Sequence, residues 1–114
     1  MEDCLFCKII EKQIPSEIVY ENESVLAFKD IDPQAPVHIL IIPKEHITTT
    51  NDLEEKHREL IGEIHLIATK IAKDLDIAES GYRTVFNCNK AGGQAVYHIH
   101  LHLIGGRQMK WPPG

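Results

Sequence analysis

Histidine and aliphatic residues alternate strictly over residues 98–104, which read His-Ile-His-Leu-His-Leu-Ile near the end of this 114-residue chain. Because the side chains of a β-strand point alternately to its two faces, this period of two predicts a strand over residues 97–104. The histidines, His98, His100 and His102, would share one face, and the aliphatic residues would enter a core on the other. Consecutive imidazoles on one face lie about 6.6 Å apart, close enough to surround one anion or one metal ion. The segment therefore predicts both a sheet strand and a chemically active face.

Two helices and four further strands are predicted around this segment. The longer helix is indicated by aliphatic residues at three- and four-residue steps between Leu60 and Leu75, preceded by a capping pattern over Asn51–Glu54. The links between strands are short, so the order of elements predicts an α+β fold, a five-stranded antiparallel sheet with one long and one short helix. The predicted helices span residues 4–10 and 52–76, and the other strands span residues 18–20, 24–28, 37–42 and 82–87.

The composition is that of an ordinary soluble globular protein, with residues 1–114 forming a single domain. The net charge is -5, and the basic residues are scattered, which argues against a nucleic-acid partner because binding to phosphate backbones needs clustered Lys and Arg. No apolar run reaches the length of a membrane span, and no secretion signal is recognisable. We therefore expect a cytoplasmic protein with no membrane partner.

Three other groups of residues have the chemistry to support the histidine face. Gly92–Gly93, in the loop before it, would let backbone amides wrap around an anion. The carboxylates of Asp30 and Asp32 can accept hydrogen bonds from vicinal hydroxyls, although acidic residues in such loops most often serve as caps. His38 and His46 flank residues 39–43, and each is as readily structural as functional.

Residues 98–104 also read His-φ-His-φ-His-φ-φ, with φ an apolar residue, without a departure. This motif is the signature of the histidine triad (HIT) superfamily of nucleotide hydrolases and transferases. Five further segments resemble its Hint branch, the purine nucleoside phosphoramidases, so the resemblance covers essentially the whole chain. These segments are residues 4–10, 30–36, 42–47 and 92–94 and the tail, residues 105–114.

The resemblance implies an enzyme that cleaves the P–N bond of nucleoside 5'-phosphoramidates, such as adenosine phosphoramidate or lysine-linked AMP, and releases AMP or GMP. By position, His100 is the nucleophile and becomes transiently nucleotidylated. His102 would contact a phosphate oxygen, while His98 and His38 would orient His100 and help to move protons. The resemblance also implies a homodimer in which two five-stranded sheets join, with the tail at the edge of the dimer and the active site.

The nucleotide contacts are likewise implied by position. Asp30 would bind the ribose hydroxyls, and Ile31 would contact the nucleoside. Ala95 departs from the family pattern, because many Hint proteins have a serine there whose hydroxyl assists the phosphate or the departing amine. Besides His100 and His102, the phosphate would be held by Asn87 and by the backbone amides of Gly93, Gln94 and Ala95.

Cys4 and Cys7 form a Cys-x-x-Cys pair, which by itself indicates metal ligation or redox chemistry. Together with His46 and His98, they match a Cys₂His₂ zinc site that related branches of the superfamily use and that is often empty in the Hint branch. With four protein ligands such a zinc ion would be structural, because no coordination position remains for water. No cofactor is then required for catalysis.

Three other functions stay open on the sequence. All three triad histidines could bind one metal ion that activates water. The chain could instead hydrolyse dinucleoside polyphosphates, as the Fhit branch does. It could also be a scaffold protein whose partner responds to nucleotide binding.

Overall fold

The computed structural model describes residues 3–114. Neither helix in this part of the chain is both long enough and apolar enough to cross a membrane. The helices are α1 (Leu5–Ile10) and α2 (Arg58–Asp74), and the strands are β1 (Ile18–Glu21), β2 (Val25–Lys29), β3 (Val37–Pro43), β4 (Tyr82–Phe86) and β5 (Leu101–Gly105).

The five strands form one antiparallel sheet in the order β1-β2-β3-β5-β4, which confirms the predicted α+β fold. Strand β5 lies between β3 and β4, with His102 opposite Leu40 and Ile104 opposite His38. Opposite residues share a face of the sheet, as do residues two apart in one strand. His38 and His102 are therefore diagonal neighbours on one face, at the centre of the sheet.

Each face of the sheet packs against one helix. The aliphatic stripe of α2, which includes Ile64, Ile67 and Ile71, packs with alternate residues of the strands, as its periodicity predicted. Helix α1 covers the opposite face, where Phe6 and Ile9 pack against the other set of strand residues. Because both faces are covered, residues 38–43 of β3 are all buried, which explains its continuous apolar sequence. The histidines lie on the α1 face.

The prediction that the long helix begins at residue 52 is wrong, because α2 begins at Arg58 after two short 3₁₀ turns over residues 50–52 and 55–57. Thr49 and Asp52 cap the first turn reciprocally: the Thr49 hydroxyl accepts from the Asn51 amide, and the Asp52 carboxylate accepts from the Thr49 amide. Leu53 then adopts extended dihedrals, which stop the turn from continuing into α2. The predicted cap over Asn51–Glu54 is therefore also wrong.

The histidine strand also begins later than predicted. Strand β5 begins at Leu101, so His102 is the one triad histidine within it. The chain bends over residues 96–98, and the Ile99 amide donates to the Ile47 carbonyl at 2.8 Å instead of to a neighbouring strand. The rings of His98 and His100 nevertheless both contact Phe6 of α1, so they lie on the same face of the sheet as His102.

Candidate active site

A short hydrogen-bond chain determines which nitrogens of His38 and His102 carry protons. The Gln34 backbone amide donates to Nδ1 of His38 at 3.0 Å. Because a backbone amide can only donate, Nδ1 is unprotonated, and the neutral ring carries its proton on Nε2. That Nε2 lies 2.9 Å from Nδ1 of His102 and 3.4 Å from Oδ2 of Asp30. His38 therefore donates to His102, and neutral His102 carries its own proton on Nε2.

Nε2 of His102 is buried and, among the residues that the structure describes, has no hydrogen-bond partner. Burial, together with His100 and His38, lowers the pKa of His102 to about 4, so the ring is neutral at pH 7. A buried N–H without an acceptor costs free energy, which a bound ligand recovers by supplying one. The His102 side chain is therefore suited to donate to an anionic oxygen.

His100 is the opposite tautomer to His102, with its proton on Nδ1. Its Nδ1 donates to the backbone carbonyl of His98 at 2.8 Å, so the neutral ring has its lone pair on Nε2. Burial lowers the pKa of His100, which keeps the ring neutral at pH 7. The ring centroids of His100 and His102 are 4.9 Å apart, and the edge of Phe6 packs against His100. A neutral imidazole with a free lone pair is a nucleophile, here placed beside a hydrogen-bond donor.

An apolar cleft of about 320 Å³ opens beside these two histidines. Asp30 and Ile31 line it, as do His100 and His102, and Ile31 is almost fully exposed. A volume of this order is in the usual range for sites that bind small molecules. The apolar part of its lining includes Leu5, Phe6, Ile9, Ile14, Phe28 and Leu40.

Two of the three predicted amide donors are used within the glycine loop itself. The Gly93 amide donates to the Lys90 carbonyl and the Gln94 amide to the Asn89 carbonyl, and the contact of these amides with a phosphate stays a prediction. Within residues 3–114 the Ala95 amide has no such acceptor, and Ala95 lines the cleft.

The Gln94 side chain has a role that its sequence position did not suggest. It accepts from the Asn89 amide and donates to the carbonyls of Thr48 and Val96, and so ties the glycine loop to the rest of the fold. Asn87 does not line the cleft, but it follows Phe86, the partner of Leu101, and so lies next to His100 in register.

His98 belongs to a different cluster, which includes Cys4, Cys7 and His46. Nε2 of His98 donates to the Pro43 carbonyl at 2.8 Å, so its lone pair is on Nδ1. That Nδ1 lies 3.3 Å from Sγ of Cys4, 3.6 Å from Sγ of Cys7 and 3.2 Å from Nδ1 of His46. His98 thus contacts His100 through its backbone carbonyl, which corrects the prediction that its ring would move protons at the nucleophile.

The cluster has the dimensions of a tetrahedral zinc site. Usual Zn–S and Zn–N bond lengths place neighbouring S and N ligands about 3.5 Å apart and two N ligands about 3.3 Å apart. The Cys7 Sγ–His46 Nδ1 distance is 3.4 Å, and all four ligand atoms lie within 4.8 Å of one another. Burial, and then Cys4, raises the pKa of the Cys7 thiol to about 11, while burial lowers that of His98 to about 4. These donors fit a cation, which favours the thiolate.

The second cluster with metal-ligand residues, formed by Asp30, His38 and His102, is linked through Nε2 of His38. Because Nδ1 of His38 accepts from the Gln34 amide, the Nε2 that faces the cluster carries a proton and has no lone pair for a metal. The rings of His98 and His102 face different partners, so the triad does not converge on one metal ion. The interpretation of a single metal held by all three histidines is therefore wrong. The prediction that His38 orients His100 also needs correction, since the ring that it contacts is His102.

Two residues that shape the site were missed at the level of sequence. Gln34 acts through its backbone amide, which no side-chain pattern reveals. Phe6 packs its ring against His98 and His100, and its position between the two cysteines was the only available signal.

Known proteins are similar to this chain over nearly its whole length. Residues 3–111 match the family model described as scavenger mRNA decapping enzyme C-term binding. The purine nucleoside phosphoramidase of Escherichia coli K12 is 53% identical over 108 residues, which are 95% of this chain and 91% of that protein. A 14 kDa zinc-binding protein of Zea mays is 55% identical over 112 residues, 96% of this chain and 87% of that protein.

Solved structures show the same fold. The crystal structure of a HIT family hydrolase from Legionella pneumophila Philadelphia 1 superposes with a TM-score of 0.97 at 57% identity, covering 98% of this chain and 100% of that one. A HIT family hydrolase from Clostridium thermocellum has a TM-score of 0.94 at 53% identity, covering 96% of each chain. The chain belongs to the histidine triad (HIT) family.

Proposed function

We propose that this chain hydrolyses the P–N bond of purine nucleoside 5'-phosphoramidates through a nucleotidyl-His100 intermediate. The observation that carries the proposal is the pairing of a free Nε2 lone pair on His100 with an unpartnered Nε2–H on His102, at the end of an apolar cleft. A nucleophile and an oxygen-binding donor are the two groups that displacement at phosphorus requires. The name and 53% identity of the Escherichia coli relative support this substrate class.

The proposed reaction has two displacements at the same phosphorus. The base occupies the apolar cleft, Asp30 accepts from the ribose hydroxyls, and Ile31 contacts the nucleoside. The phosphate oxygens accept hydrogen bonds from His102, and from Asn87 and the Ala95 amide. Nε2 of His100 forms a bond to phosphorus as the P–N bond breaks, and the amine leaves with a proton taken from solvent. Water then attacks the phosphorus, returns a proton to solvent and breaks the bond between His100 and phosphorus, which releases AMP or GMP.

Neutral His100 makes the expected pH dependence unusual for a histidine enzyme. We expect kcat/KM to stay near its maximum as the pH falls from about 8 through 6.5, the ordinary pKa of histidine, and to decline at lower pH. The reason is that burial lowers the pKa of His100 and of His102, the latter to about 4. A pH profile of kcat/KM measures this, and a midpoint at about pH 6.5 would show that the nucleophile is not desolvated.

The same shifts affect stability with a definite sign. The unfolded chain takes up protons on these histidines at about pH 6.5, whereas the folded chain does so at lower pH. The contribution of these histidines to the free energy of unfolding should therefore fall as the pH drops from about 6.5 towards 4. Urea unfolding at each pH separates this loss of stability from the loss of the nucleophile.

The proposal is tested by offering two substrates in parallel, adenosine 5'-phosphoramidate and a dinucleoside polyphosphate. We expect kcat/KM to be roughly a hundredfold higher for the phosphoramidate, with AMP as product. The opposite ranking would replace the proposal with the activity of the Fhit branch. No AMP release from either substrate would leave a nucleotide-regulated scaffold as the better account.

We also propose that Cys4, Cys7, His46 and His98 hold a structural zinc ion. The distances between their ligand atoms support this, as does the name of the Zea mays relative. When bound, zinc would hold α1 against the loop of His46 and the segment of His98, and the chemistry would remain with His100.

The proposed homodimer rests on the edge position of β4. Strand β4 pairs with β5 on one side, and its other edge is at the end of the sheet. Pairing of β4 with the same strand of a second copy would join two five-stranded sheets. The single domain over residues 1–114, the cytoplasmic location and the lack of nucleic-acid or membrane partners stay predictions.

A further inference from the structure

Arg107, at the start of the tail, contacts the loop that contains Asp30. Its Nε donates to the backbone carbonyl of Gln34 at 3.0 Å. The preceding residue, Gly106, packs against Pro36 of the same loop so closely that a Cβ would lie 2.9 Å from the proline ring, and its φ of +92° also favours glycine. The tail therefore meets the Asp30 loop, residues 30–36, at two adjacent positions.

Both backbone polar groups of Gln34 are engaged in this arrangement. Its carbonyl accepts from Arg107, and its amide donates to Nδ1 of His38. Two bonds lie within the loop: the Gln34 side chain donates to the Asp32 carbonyl, and the Asp32 amide donates to the Asp30 carboxylate. The Asp30 amide donates to the backbone carbonyl of His38 at 3.0 Å, where the loop joins β3. Arg107 thus supplies a bond from outside the loop to the residue that determines the tautomer of His38.

Loss of the bond between Arg107 and Gln34 would change which ring nitrogens of His38 and His102 carry protons. If the Gln34 amide moves away, Nδ1 of His38 is free to take the proton, and Nε2 of His38 then becomes an acceptor. Nδ1 of His102 would have to carry the proton that joins the two rings, which leaves a lone pair on Nε2 of His102. A lone pair there repels a phosphate oxygen, whereas the N–H binds it.

We propose that Arg107 is a positioning residue for the reaction, which acts through the Gln34 backbone to hold His38 and His102 in the tautomers that bind phosphate. This inference rests on the proposed phosphoramidase activity for its kinetic consequence. Its tautomer consequence concerns the free protein and can be measured without substrate.

The experiment compares Arg107→Met with Arg83→Met. Arg83 donates from Nη2 to the Lys110 carbonyl at 2.9 Å, so its replacement removes a matched arginine bond to the tail and leaves Gln34 untouched. We expect Arg107→Met to lower kcat/KM roughly tenfold or more, because misplacement of a catalytic group is costly. Arg83→Met should retain wild-type kcat/KM, and Arg107→Lys, which keeps a donor, should recover part of the activity.

Long-range proton–nitrogen NMR correlation on histidine-labelled protein reports the tautomers directly. We expect His38 and His102 to carry protons on Nε2 in the wild type and in Arg83→Met, and to show mixed tautomers in Arg107→Met. Unchanged tautomers in Arg107→Met, or an equal loss of activity in Arg83→Met, would overturn the inference. If the wild type does not release AMP, the proposed function fails, and the NMR comparison still decides the role of Arg107.

Discussion

Replacement of His100 by alanine is expected to lower kcat for phosphoramidate hydrolysis by roughly four orders of magnitude or more. The tautomers of the neighbouring histidines explain why none of them can replace His100 as the nucleophile. Nε2 of His102 carries a proton, and Nδ1 of His98 faces Cys4 and Cys7, so within the described residues His100 alone offers an imidazole lone pair to the cleft. The measurement is AMP release over time, with intact-mass spectrometry to detect nucleotide bound to the protein.

The His100→Ala variant should still bind AMP within a few-fold of the wild type, because His102 and the apolar cleft are unchanged. His65→Ala is the matched control, since His65 is an exposed histidine on α2 and does not line the cleft. We expect nucleotide on the wild type and on His65→Ala during turnover, and none on His100→Ala. A nucleotidyl adduct on His100→Ala would assign the nucleophile to another residue and refute the proposed intermediate.

The location of the histidine face could be predicted from sequence, but the separate role of each histidine could not. Alternation alone placed the triad on the face opposite Leu101 and Leu103, which pack in the core with α2. The protonation of each ring depends on backbone groups that are remote in sequence or carry no side-chain signal. These groups are the Gln34 amide for His38, the Pro43 carbonyl for His98 and the His98 carbonyl for His100.

The two errors in element boundaries have the same physical origin. Periodicity predicts which face of an element is buried, but competing local bonds determine where the element begins. Thr49 and Asp52 bond to each other before α2 begins, and the Ile99 amide bonds to Ile47 before β5 begins. In both places a residue that the periodic pattern had assigned to the helix or the strand makes a hydrogen bond to a residue outside it. Asp52 bonds to Thr49 in the first case, and Ile99 bonds to Ile47 in the second.

Removal of zinc from the cysteine–histidine cluster is expected to lower the melting temperature by roughly 10 °C, because a structural metal contributes folding free energy. Chelation and Cys4→Ser should have the same effect. Serine at residue 4 keeps a side-chain acceptor for the Cys7 amide, which Sγ of Cys4 accepts at the start of α1, so the variant removes the ligand and retains the cap. Cys88→Ser is the matched control, since Cys88 is outside the cluster.

The measurements are metal content by mass spectrometry and thermal unfolding before and after chelation. We expect one zinc ion per chain in the wild type and in Cys88→Ser, and little zinc in Cys4→Ser. A wild-type protein that is purified in the presence of zinc, contains none and has a melting temperature insensitive to chelation would refute the site.

The effect on activity distinguishes a structural zinc ion from a catalytic one. His98 joins the two sites, because its ring faces the cysteines and its carbonyl accepts from Nδ1 of His100. Loss of zinc would loosen this carbonyl without removing the nucleophile or the donor on His102. We therefore expect chelated protein, assayed well below its melting temperature, to retain kcat within roughly tenfold of the zinc-bound form. Complete loss of turnover with an unchanged melting temperature would instead make the metal a participant in the reaction.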